Sequence, residues 1–197
     1  MFIVLNMIFR QRVTLLEIRL MVNLLWQRIV IAITTVPYPQ DLGLTAVVLI
    51  IYSVLALPIG FFSGFLQWKW HKENYWRMVL QTLITPALLE ELIFRGLLLP
   101  HPREGNTTES LWWWSGLSLL LFVFYHPLNG LTLYKPGFIV FRQPVFLSLA
   151  TLLGISCTVL YQLTGSLWTA VVMHWFVVIV WLGWLGGTEQ LIPPEQG

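Results

Sequence analysis

Glu90 and Glu91 stand side by side, with Arg95 four residues on, inside Met78–Leu99, a run that is otherwise apolar and long enough to cross a bilayer. Ionisable groups in a membrane helix are costly and mark functional interiors. Three charges near a helix centre oppose insertion by roughly 7–10 kcal/mol. The twelve Leu, Ile, Val and Phe residues of the segment return only about 4–7 kcal/mol. The segment therefore needs neighbouring helices that carry its partners. Glu91 and Arg95, at i and i+4 with the acid first, can pair within the helix. Glu90 points about 100° away from Glu91 and has no intrahelical partner. An unpaired acid near an imidazole is the arrangement of a general base.

Two histidines lie at matching depth. Helical rise puts Glu90 roughly 14 Å, His126 roughly 18 Å and His174 roughly 10 Å from the same face of the membrane. In a hydrocarbon core about 30 Å thick, all three fall near the middle. Pro127 disfavours helical geometry at the residue before it, so the third span is expected to end at His126. The Glu90, His126, His174 set has the donors of some zinc hydrolases, but no HExxH helix accompanies it.

The elements that must position these groups follow from composition. The chain has 197 residues, 57% hydrophobic and 10% charged, with mean hydropathy +0.74. A soluble domain carries about 25% charged residues. The expected fold is all-α: a polytopic integral membrane bundle of about five transmembrane helices with an N-terminal interfacial amphipathic helix. The spans are expected at Leu42–Phe65, Met78–Leu99, Leu111–His126, Val145–Leu163 and Leu167–Leu185. Tryptophans gather near their ends as an aromatic belt. Residues 1–39 read as the interfacial helix, with Arg12, Arg19, Asn23 and Gln27 on one face. Residues 40–77 read as the first span and a polar loop, 78–185 as a four-helix core, and 186–197 as a frayed polar tail. Met1–Phe9 has neither the positive start nor the cleavage site of a signal peptide. His71 and His101 read as solvated loop residues, and the single Cys157 as a buried small hydrophobe. Lys and Arg divide five to five between the two membrane sides, so orientation stays undecided. A net charge of +2 gives no reason to expect a nucleic-acid partner.

Glu90-Glu91-x-x-x-Arg95, then Phe122-x-x-x-His126, then His174 after Thr164-Gly165-Ser166-Leu167-Trp168, resembles the CPBP family. These are the CAAX proteases and bacteriocin-processing enzymes, also called Abi, a group of glutamate-type intramembrane proteases. The resemblance covers Met78–Leu182. It implies that Glu90 and His126 activate a water, that His174 binds the oxyanion, and that Glu91, Arg95 and Phe122 support the site. It further implies a multi-pass protein, in a bacterial cell membrane, that cuts membrane-associated or prenylated peptides without a cofactor. The family's last motif carries Asn or Asp four residues after the histidine, whereas position 178 here is Val. Losing one oxyanion donor lowers the rate by about 10²–10³. The Trp175 indole and Asn129 are the donors nearby. Three other readings stay open: a catalytically impaired scaffold or immunity factor that binds a peptide partner, a zinc-dependent protease, and a proton-coupled carrier. The absence of an internal repeat weighs against the carrier.

Overall fold

The computed structural model describes residues 2–191, with side chains from Leu16 onward. The chain runs through α1 (Phe2–Thr34), α2 (Pro39–Phe62), α3 (Tyr75–Thr82), α4 (Leu89–Glu91), α5 (Thr108–Thr132), α6 (Pro144–Thr164), α7 (Leu167–Trp184) and α8 (Gly187–Leu191). A kinked stretch, Leu83–Leu88, precedes α4, and a wider π turn at Leu92–Leu97 follows it. Among the described residues there is no sheet, only one isolated bridge between Lys69 and Leu185. The all-α polytopic bundle expected from composition is the observed fold.

Four helices, α2, α5, α6 and α7, are long and apolar enough to cross a membrane. They match the first, third, fourth and fifth expected spans. The second differs: Met78–Leu99 is not one helix. At Thr85 the backbone turns extended, φ −133° and ψ 112°. The cause is local, because Pro86 crowds the residue before it out of helical geometry and supplies no N–H of its own. In hydrocarbon such a break survives only where protein or a cavity takes up the freed backbone groups.

The third span also differs from expectation. α5 does not stop at His126 but continues through Pro127 to Thr132. Ending the helix there would leave a full turn of carbonyls unpaired inside the membrane, a larger penalty than one missing N–H. Part of the expected frayed tail, Gly187–Leu191, is helical; residues 192–197 lie outside the described residues, as do the Arg12 side chain and Met1.

At one end of the bundle α1 is clasped. The Arg28 guanidinium donates to both Glu104 oxygens at 2.8 Å. Orphan carbonyls at the end of α1 find donors on the far side of the chain: Ser166 Oγ to Thr35 O at 2.6 Å, and Trp168 Nε1 to Ile33 O at 2.8 Å. Ala32, fully buried, sits against Gly96 and Leu167, where two small residues let α1 approach the site-bearing segment closely. His101 is not the solvated residue expected; it is 1% exposed. Its Nε2 donates to Gly165 O at 2.9 Å and its Nδ1 accepts from Arg103 N at 3.2 Å. Burial holds the His101 imidazole below its usual range, although the bond to Gly165 opposes this. Burial pushes the Glu104 carboxyl up, but Arg28 and the His101 backbone N–H outweigh it and hold it below the usual carboxylate range.

At the opposite end, residues 67–71 run beside the last turn of α7. The N–H groups of Gln67, Lys69 and His71 bond the carbonyls of Leu185, Trp184 and Gly183. That satisfies the helix terminus without water. His71 is partly buried, 3.5 Å from Glu189.

Candidate active site

The break before α4 and the π turn after it put two consecutive acids in different surroundings. Glu91 is fully buried and faces inward. Its Oε1 accepts from His174 Nδ1 at 2.7 Å and from Arg95 Nη1 at 3.3 Å. Arg95 Nε lies 3.2 Å from Glu91 Oε2, an ion pair poorly aligned for a hydrogen bond. The guanidinium also donates to Gly154 O of α6 at 2.7 Å and lies over the Phe122 ring at 4.6 Å. Buried charges persist only when paired and hydrogen-bonded in this way. The Glu91–Arg95 pairing read from the i, i+4 spacing is present. The link from Glu91 to His174 had no sequence signal, because it joins residues 83 positions apart.

Glu90 is 5% exposed. Its Oε2 has no hydrogen-bond partner within the protein. It lies 3.9 Å from His126 Nε2 and 3.9 Å from His174 Nε2. The three residues that depth alone put at one level therefore converge on one point. Each ring is fixed by its other nitrogen. His126 Nδ1 faces its own helix's Phe122 O at 2.9 Å, and His174 Nδ1 faces Glu91. A nitrogen beside a carbonyl or carboxylate must donate, so both rings carry the proton on Nδ1 and turn Nε2 toward Glu90. Phe122, fully buried, packs edge-on against both imidazoles, with ring centroids 4.8 and 6.0 Å away, and against Phe94 at 5.3 Å. Ser118 Oγ ties α5 to this segment by donating to Phe94 O at 2.5 Å.

These groups face a cavity of about 540 Å³ walled by α2, α3, α5, α6 and α7, largely apolar in lining. A mostly apolar pocket with a few convergent polar groups is the usual form of a ligand site. Val178 lines it, one turn past His174, and presents no donor. Of the two substitute donors read from the sequence, the Trp175 indole is already committed to Val79 O at 2.8 Å. Asn129 lines the cavity. Thr85 lines it too, and the Thr85-Pro86 dipeptide was the signal for it in the sequence. Cys157 is buried, its thiol 3.6 Å from Ala170 O. Among the described residues no group of three or more His, Cys, Asp or Glu side chains is arranged to hold a metal ion.

A family model described as type II CAAX prenyl endopeptidase Rce1-like matches residues 72–180. No curated protein matches the chain, and no solved structure does. The match takes in α3, the two acids, Arg95 and both histidines, and it covers more than half of the sequence. The chain thus belongs to the type II CAAX prenyl endopeptidase Rce1-like family, a family of CAAX-type intramembrane proteases.

Proposed function

We propose that this chain is an intramembrane endopeptidase that hydrolyses peptide bonds in membrane-associated or lipidated peptides, using a water activated by Glu90 and His126. One observation carries the reading: a buried, unpartnered Glu90 Oε2 stands 3.9 Å from two imidazole nitrogens. That gap is too long for a direct hydrogen bond, and it accommodates a water bonded at about 2.8 Å to the acid and to an imidazole. Glu90 takes a proton from the water, and His126, its Nε2 lone pair turned to the same point, orients it. The hydroxide attacks the scissile carbonyl. His174 donates to the developing oxyanion from Nε2 when it carries protons on both nitrogens, and Glu91 stabilises that imidazolium through Nδ1. The proton held by Glu90 then passes to the leaving amine. No metal enters this scheme.

A membrane peptidase assay on a farnesylated peptide tests it. Glu90→Gln is expected to lower turnover by about 10²–10⁴ with the fold retained, the range of a lost general base. Unchanged turnover in that variant removes the mechanism. A chelator is expected to leave the wild type active; loss of activity restored by zinc favours the zinc rival. The impaired-scaffold reading has its own support in Val178, a donorless side chain at the cavity wall. Val178→Asn is expected to raise turnover by about 10²–10³. A wild type without turnover and a Val178→Asn variant that cuts would identify an impaired site of the same design.

A further inference from the structure

We propose that Thr85 is a docking edge on which the substrate backbone pairs as a short strand beside Glu90. This deepens the hydrolase reading and rests on it for the peptide nature of the substrate. Three observations meet at this residue. Its backbone is extended between two helical stretches. The Leu89 N–H bonds the carbonyls of Ile84 and Pro86, passing over that of Thr85, and Pro86 has no N–H to offer. Thr85 and Glu90 line the same cavity.

The serine and threonine hydroxyls of that wall sharpen the contrast. Ser53 donates to Leu49 O, Thr82 to Met78 O and Thr188 to Leu182 O. Among the described residues the Thr85 hydroxyl makes no such bond, and Thr85 lines the cavity. Serine and threonine in membrane helices ordinarily satisfy their hydroxyls on the preceding turn. Extended backbone at membrane depth likewise persists only where it meets protein or a cavity. Thr85 therefore sets an unbonded hydroxyl beside extended backbone at the cavity wall.

Extended backbone beside a cavity is the geometry of peptide capture by strand addition. Such capture also prepares the bond for cleavage. A helical substrate hides its carbonyls in i→i+4 bonds, whereas an extended one exposes them to the water at Glu90. The register follows from spacing. Glu90 stands five positions after Thr85, about 7.5 Å at helical rise. An extended peptide covers that distance in about two residues at ~3.3 Å each. The substrate amide that pairs at Thr85 therefore lies about two residues from the scissile bond.

The test uses the full chain in lipid nanodiscs and a dye-labelled, farnesylated ten-residue peptide ending Cys-aliphatic-aliphatic-Met. Binding to Glu90→Gln is read by fluorescence anisotropy, with single N-methyl groups placed on successive amides. The bond that the wild type cuts is located by mass spectrometry. N-methylation about two residues from that bond is expected to weaken binding about tenfold, and its neighbours less than twofold. In the same background Thr85→Val, which keeps the branched shape, is expected to weaken binding of the unmodified peptide three- to tenfold, the size of about one hydrogen bond. Pro86→Ala, checked for folding by circular dichroism, frees residue 85 to become helical and is expected to erase the positional effect. Absent binding, binding indifferent to N-methylation at each amide, or a positional pattern unchanged in Pro86→Ala overturns the docking edge. Position-dependent binding without wild-type turnover upholds the edge and overturns the hydrolase reading.

Discussion

Glu90 and Glu91 are chemically identical neighbours with different environments. Glu91 is enclosed by Arg95 and His174, while Glu90 Oε2 is left to the cavity. Sequence spacing foretold half of this division, since i, i+4 geometry pairs Glu91 with Arg95 and leaves Glu90 over. It could not foretell that Glu91 also seats His174, because a contact between distant helices depends on their rotation about their own axes. Glu91→Gln is expected to destabilise the protein by about 3–5 kcal/mol, the usual result of stranding a buried charge. A thermal melt in detergent measures it. The same variant is expected to slow turnover, because His174 loses the carboxylate that seats its Nδ1. A variant that melts and turns over like wild type would show that Glu91 contributes to neither.

At the scale of elements, the site depends on a helix that is broken and a helix that is not. Pro86 opens Met78–Leu99 at Thr85, whereas Pro127 is absorbed inside α5. The local preference is the same before both prolines. The outcomes differ because the first break lines a cavity and the second would strand a turn of carbonyls in hydrocarbon. The clasp on α1 is a second element-scale device, joining its last turns to the loop after the site-bearing segment through Arg28 and Glu104. Its acid response has two steps. His101 binds protons less readily folded than unfolded, so its contribution is complete above its ordinary value of 6.5 and declines as pH falls toward the lowered folded value. Glu104 follows: its contribution is full above the ordinary 4.5 and is lost as pH falls through the depressed folded value. Melting temperature is expected to fall in both windows. Glu104→Gln is expected to remove the lower step, and a melting curve against pH that keeps this step in the variant would refute the assignment.

For the whole molecule, the chain crosses and recrosses so that the Arg28–Glu104 clasp, Gly165 and the starts of α5 and α7 share one end. Residues 67–71, the turns at Lys135–Gly137 and Val140–Arg142, and α8 belong to the other. Single-cysteine variants built on Cys157→Ala test this. Lys69→Cys and Lys135→Cys are expected to react with an impermeant maleimide from the same side of sealed vesicles, and Arg103→Cys from the opposite side. Labelling of Lys69→Cys and Arg103→Cys from one side would refute the arrangement. Cys157 itself, buried at the interface of α6 and α7, is expected to be inert to the reagent.

The sequence by itself determined the all-α membrane bundle and put the acid and the two histidines at one level. Hydrophobic run lengths answer to bilayer thickness, and a fixed helical rise converts residue numbers into depth. It also determined the family, since the acids, Arg95, Phe122 and the two histidines carry their spacing in plain view. Only the tertiary structure decided what these groups face. Helix rotation and packing brought two Nε2 atoms within 3.9 Å of one oxygen, gave Arg95 the carbonyl of Gly154, buried His101 against Gly165, and committed the Trp175 indole to Val79. The reason is that depth along a helix is a one-dimensional property of the chain. Direction around the helix is selected by contacts among segments far apart in sequence, and those contacts exist only once the bundle has closed.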